Sequence, residues 1–233
     1  MRQIFLDTET TGLNPVAGDR IIEIGCVEMV NRKLTGNNLH HYLNPGRESH
    51  EEALKVHGIT SEFLRDKPRF ERVVSDLLEY LKDAEVILHN AAFDVGFLNV
   101  ELSLVGQAGF AAHVSRVVDT LAMAKEMFPG KRNSLDALCD RMGVDRSGRT
   151  MHGALLDAQL LADVYINLTR GQDALLMDAG CSDDEMVVVN SIDFGQFDLP
   201  VLHANTQELV SHEEVINQID KASGGKTLWR KVA

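Results

Sequence analysis

Four acids, three of them inside apolar patterns, stand at Asp7 and Glu9 directly after Gln3-Ile4-Phe5-Leu6, at Asp94 in Asn90-Ala91-Ala92-Phe93-Asp94, and at Asp157 in His152-Gly153-Ala154-Leu155-Leu156-Asp157. A buried charge without a partner is costly, so a fold that hides these neighbours must gather the acids around something positive. The simplest such partner is a pair of divalent cations. This requirement constrains the chain more than its composition does.

Periodicity supplies the elements. Residues 3–6 and 21–27 are short apolar runs of the kind that form central strands, separated by a turn-rich segment from Gly12 to Gly18, and residues 33–43 return as a third strand. Val73, Val74, Leu77, Leu78 and Leu81 have helical spacing, and Val86-Ile87-Leu88 follows as a buried strand. A helix is predicted over about 92–105, a short fifth strand at Val117-Val118, and a helix ending before Pro129-Gly130. Ser134 reads as the N-cap of another helix to about Met142, and the last strong helix starts near Gly153. A meander followed by alternating strands and helices predicts an α/β layer architecture, a mixed five-stranded sheet with flanking helices. The domain is expected to span residues 1–171, and residues 172–233 a linker and tail.

Residues two apart on a strand face the same way, so Asp7 and Glu9 project together. Asp94 shares a helix face with Phe97, Leu98, Leu102 and Val105, and Asp157 shares one with Leu160, Leu161, Val164 and Leu168. Either aspartate alone would also suit a helix N-terminus through the dipole. Four such acids in one region repel unless cations intervene, and hard oxygen ligands without cysteine suit Mg²⁺ or Mn²⁺. His152, five residues before Asp157, stands where an imidazole could take a proton near neutral pH.

A formal charge of -12 argues against a chain that coats nucleic acid by itself, since phosphate affinity comes mostly from clustered Lys and Arg. Residues 173–233 hold 11 acids and 4 bases, so the tail is the more acidic part. The three cysteines, Cys26, Cys139 and Cys181, are too far apart for a zinc cluster and odd in number, which predicts reduced thiols. No apolar stretch is long enough for a membrane span, and the N-terminus reaches Asp7 too soon for a signal-peptide core, so a cytoplasmic protein is expected.

Asp7-Thr8-Glu9-Thr10-Thr11-Gly12-Leu13, His89-Asn90-Ala91-Ala92-Phe93-Asp94 and His152-Gly153-Ala154-Leu155-Leu156-Asp157-Ala158 resemble, in order and spacing, the three motifs of the DEDDh 3'-5' exonucleases. The resemblance spans about residues 2–170 and implies a ribonuclease-H-like fold. It also implies that Asp7, Glu9 and Asp157 hold one metal, that Asp7 reaches a second, that Asp94 supports them directly or through water, and that His152 is the general base. Two cations about 4 Å apart would then activate water against the phosphodiester and stabilise the leaving oxygen. By the same resemblance Glu52 and His57 contact the terminal nucleotide, Thr10 and Leu13 border its sugar and base, and His89 stands behind the site. For Glu52 and His57 a solvated short helix ending in a glycine turn is the alternative.

The tail carries two further resemblances. Gln172-Asp173-Ala174-Leu175-Leu176 is similar to the short peptides that dock into bacterial sliding clamps, although Leu175 and Leu176 would also suit the end of a core. The end from about Leu199 to Trp229, with its only tryptophan, resembles the segment by which proofreading members bind the polymerase catalytic (alpha) subunit, and Trp229 is the expected anchor. The expected partners are thus the 3' end of single-stranded or frayed DNA, the polymerase, the clamp and a small accessory subunit, with no membrane. The expected activity is proofreading hydrolysis that releases nucleoside 5'-monophosphates. Rival readings are an RNA-trimming exonuclease of the oligoribonuclease or ribonuclease T type, which would not need this tail, and a structural subunit that stabilises a polymerase.

Overall fold

The computed structural model describes residues 1–146, 151–170 and 204–224. The chain divides into two compact units, Met1–Cys181 and Ser182–Ala233. In the first, β1 (Arg2–Thr10) is the central strand, antiparallel to β2 (Ile21–Val30) and parallel to β5 (Glu85–Leu88), which pairs in parallel with β6 (Arg116–Asp119). β3 (Lys33–Leu34) and β4 (Leu39–Tyr42) both pair antiparallel with β2.

The sheet therefore has six strands, not the five predicted. The return over 33–43 is cut in two because Thr35 to Asn38 form a turn, with Gly36 at φ 79, a left-handed backbone that a glycine adopts without steric cost. The mixed sheet and its antiparallel meander are as expected.

Alternation along β1 places Ile4 and Leu6 on one face and Phe5 on the other, so the domain has a core on each side of the sheet. The first core takes α3 (Phe70–Leu81) and α4 (Ala91–Leu104) through Val73, Leu77, Leu81, Phe97, Leu98 and Leu102. The second takes α7 (Ala154–Leu168) through Ala158, Leu161 and Tyr165. Short helices α1 (Glu51–His57) and α2 (Ser61–Leu64) follow β4, and α5 (Thr120–Met127) and α6 (Leu135–Met142) precede α7. Ser134 caps α6 as predicted, its side chain accepting from Ala137 N. Cys26 and Cys139 are buried, and neither is in a disulfide among the described residues.

The second unit contains α8 (Thr206–Ser223), started by a capping box between Asn205 and Glu208 and ended by Gly224 in the left-handed region. No helix among the described residues is long and apolar enough to cross a membrane.

Candidate active site

The site forms where β1 ends. Asp7 and Glu9 leave β1 on the Phe5 face, toward α7, and the register shift after Glu9 breaks the ladder with β2 just there. Gly25 pairs with Asp7 across the strands, and a Cβ on Gly25 would lie 2.2 Å from Leu155 N and 2.3 Å from Ala154 C. The first turn of α7 thus rests directly on the backbone of β2, which only glycine permits. That close approach carries Asp157, 4% exposed, to Glu9.

Ligand atoms of Glu9, His152 and Asp157 lie within 4.8 Å of one another. His152 Nδ1 is 3.2 Å from Asp157 Oδ2. A carboxylate can only accept, so in that bond Nδ1 is the donor and Nε2 is the ring nitrogen turned to other partners. The backbone of His152 donates to Val56 O, which ties this segment to the end of α1.

Asp94 arrives from the opposite face, on the first turn of α4, 3% exposed, and accepts a 2.7 Å hydrogen bond from Thr8 Oγ1. Thr8 lies between Asp7 and Glu9 and points the other way, so one strand addresses both helices. Burial pushes the Asp94 carboxyl up to about 7, against the hydrogen bonds from Thr8 and the backbone that hold it down. A raised carboxylate pKa makes the ionised native state costly: the penalty starts as pH rises past 3.8 and is complete above about 7. Thermal unfolding without divalent ions should therefore show a loss of about 2 kcal/mol between about pH 5.5 and 8, absent in Asp94→Asn. Equal pH slopes for the two proteins would refute this.

Beside the cluster, the β1–β2 loop and α1 enclose a cleft of about 490 Å³ whose walls include Leu13, Asn14, Asp19, Glu52, Ala53 and Val56. Asp19 organises the loop. Burial alone would raise its pKa, but hydrogen bonds from Asn14 N and Thr11 Oγ1, with Arg47 and His50 alongside, together hold it below the usual carboxylate range. Arg20 clamps the loop to α4 by a bidentate pair with Glu101 at 2.7 and 2.6 Å.

The expected residues divide accordingly. Glu9, His152 and Asp157 converge; Asp7 shares their face one pleat earlier; Asp94 stands across the strand on Thr8. Leu13, 80% exposed, and Glu52 share the cleft wall. Thr10 and His57 are buried and not on that wall; Thr10 donates to Gly12 O, and His57 Nδ1 accepts from Ile59 N. His89 bonds Thr120 Oγ1 at 2.9 Å and so fastens the end of β5 to α5. Gln172, Leu175, Leu176 and Trp229 lie outside the described residues.

Sequence reasoning missed Thr8, Gly25, Asp19 and the Arg20–Glu101 clamp. Gly25 alone carried a signal, since a glycine inside a strand pattern marks close backbone approach.

The donor set fits hard divalent cations, for the carboxylates of Glu9 and Asp157 converge with an imidazole, Asp7 shares the face of Glu9 on β1, and no thiolate is among them. The fold and these donors define a nuclease of the metal-dependent 3'-5' type. The exonuclease family profile matches residues 4–165, and the chain belongs to that family. It is 48% identical to DNA polymerase III subunit epsilon of Pasteurella multocida over 99% of this chain and 94% of that one. It is likewise 48% identical to DNA polymerase III subunit epsilon of Escherichia coli, over 98% and 97%. Among solved structures, exonuclease X in complex with 5' overhanging duplex DNA superposes with a TM-score of 0.58 at 24% identity, covering 73% of this chain and 93% of that one. The nuclease domain of 3'hExo, a DEDDh family member bound to rAMP, gives 0.62 at 17% identity, over 77% and 93%. Both have the fold expected from the motifs.

Proposed function

We propose that the protein is the proofreading epsilon subunit of a bacterial DNA polymerase III, removing mispaired 3'-terminal nucleotides from DNA as nucleoside 5'-monophosphates. The convergence of Glu9, His152 and Asp157 at the end of β1 carries this reading, in a chain that aligns over 99% of its length with a relative of that name. Asp7, Glu9 and Asp157 hold the cations, Mg²⁺ or Mn²⁺, and Asp94 supports them from the other face of the strand. The bound pair supplies Lewis acidity to the phosphoryl group, its attacking water and its leaving oxygen.

The chain's own residues do the rest. His152 Nε2 takes the proton of the attacking water, with Asp157 holding the ring through Nδ1 so that Nε2 is the basic nitrogen. The cleft of Leu13 and Glu52 seats the terminal nucleoside, its apolar wall against the base. Thr10 braces the loop at Gly12, and His57 backs α1 from within.

Residues 172–233 form the partner-binding tail of this reading. Gln172, Leu175 and Leu176 dock into the sliding clamp, and the end with Trp229 binds the alpha subunit; a small accessory subunit completes the assembly. Leu209, Val210, Val215 and Ile219 are all exposed on α8, which suits a helix that buries apolar surface on a partner. A net charge of -12 is tolerable for a DNA enzyme in the cytoplasm whose polymerase and clamp hold the substrate at high effective concentration.

The test offers a mispaired DNA primer and a short RNA to the native protein and to a form lacking residues 199–233. Both proteins should degrade the DNA, and only the native one should bind the polymerase. Preference for RNA would favour the trimming enzymes, and an inert native protein would leave a structural subunit.

A further inference from the structure

We infer that His40 is a positioning residue: it draws the buried Glu23 carboxylate across β2 toward β4 and so keeps it from joining Glu9 among the cation ligands. This rests on the proposed reaction, because it concerns the same cation site. Direct partners on antiparallel strands point to the same face of a sheet. The registers Glu9↔Glu23 and Glu23↔Tyr42 therefore make one row across β1, β2 and β4, on the α7 side. Asp7↔Gly25 and Gly25↔His40 make a second row beside it.

Two carboxylates thus stand opposite each other, Glu9 and Glu23, and Cβ atoms of such a pair are about 4.5–5.5 Å apart. A glutamate side chain is long enough to cross that gap, so Glu23 has two directions open to it. His40 selects one. It lies diagonally across from Glu23, and its Nε2 stands 2.7 Å from Glu23 Oε1. A carboxylate can only accept, so Nε2 is the donor. The ring is braced by Tyr42, centroid to centroid at 4.7 Å, and Tyr42 in turn meets Phe63 edge-on at 4.9 Å.

Glu23, His40 and Tyr42 line a cavity of about 300 Å³ together with Gly153, Leu155 and Leu156, at the first turn of α7. A carboxylate suits the positive end of a helix there. Glu23 is 2% exposed, and its Oε2 is buried without a donor at hydrogen-bond geometry among the described residues. Tyr42 stands beside the same carboxylate, and burial and then the Glu23 charge raise its hydroxyl pKa. A buried charge that loses its partner is costly, so a Glu23 released by His40 turns to the cations at Glu9, on its own row. There it adds a ligand where water and phosphoryl oxygens must bind.

His40→Ala, Glu23→Gln and the double variant of the full chain separate this role from a structural one. Mn²⁺ binding, followed by the paramagnetic resonance of the free ion, should tighten about fivefold in His40→Ala as a further carboxylate joins the ligands. The kcat on a single-stranded oligonucleotide should fall about tenfold. Glu23→Gln still accepts from His40 through its amide oxygen and should stay within about twofold of native in both readings. Adding Glu23→Gln to His40→Ala should restore both, because no charge is left to misplace. A packing defect at α7 would instead weaken Mn²⁺ binding, and the second substitution would not mend it. Unchanged or weaker Mn²⁺ binding in His40→Ala, or a double variant as impaired as His40→Ala, would overturn the role of His40 while native hydrolysis upheld the reaction. Should His40→Ala fail to fold, a double variant that folds and binds Mn²⁺ like native supports the role, and one that also fails overturns it. A native protein inert on the oligonucleotide would overturn the exonuclease reading, and this role with it.

Discussion

Asp157→Asn should lower kcat/KM by about 10⁴-fold while leaving the metal-free fold at least as stable as native. The substitution keeps shape and volume and removes two functions at once. The carboxylate is one of the converging ligands, and it accepts from His152 Nδ1 at 3.2 Å. An amide can turn either its oxygen or its NH₂ toward the ring, so the tautomer with a basic Nε2 is no longer enforced. Loss of that enforcement in hydrolytic triads costs a factor of this order. Removing one of several mutually repelling acids relieves the metal-free site, so thermal unfolding without ions should not shift downward. The rise in melting temperature on adding Mg²⁺ or Mn²⁺ should shrink at the same time, because ions stabilise only the state that binds them. Activity within tenfold of native would remove Asp157 from the reaction.

Gly25→Ala is the second large effect, and it acts without touching a charge. The added methyl would meet Leu155 N at 2.2 Å, Ala154 C at 2.3 Å and Leu155 Cα at 2.4 Å, all backbone atoms that cannot rotate away. α7 must lift from β2, at a cost of about 1–3 kcal/mol for an overpacked contact. Asp157 and His152 ride on that turn and its approach, and a displacement of about 1 Å in a reacting group costs about 100-fold in rate. Gly96→Ala is the control, since a Cβ on Gly96, within α4, meets nothing within 4 Å. Helix propensity there should add about 0.5–1 kcal/mol. Calorimetry and single-turnover kinetics on the two variants check both halves, and a fully active Gly25→Ala would show that α7 has room to settle elsewhere.

Three of the four acids were legible because they broke an apolar pattern, and Glu9 because it stands two residues from Asp7 on the same strand. Asp94 and Asp157 each head a helix face of large apolar residues that is buried as the spacing predicts, except at Val105, which lies past the end of α4 and is half-buried. The strand–helix order followed from the same periodicity. The split of the third strand was not legible, for a two-residue strand such as β3 has no period to detect.

Taken alone, then, the chain determined which residues must be gathered and what chemistry their oxygens favour, since charge among apolar neighbours is a local property. Tertiary structure decided how they meet: Asp94 and Asp157 come from opposite faces of the sheet, and alternation along β1 lets Thr8 hold one while Glu9 faces the other. It also decided that His57 lies buried while Leu13 stands at the cleft mouth. Those outcomes depend on how closely two backbones pack, as at Gly25, and distance between segments far apart in a chain is set by the whole core.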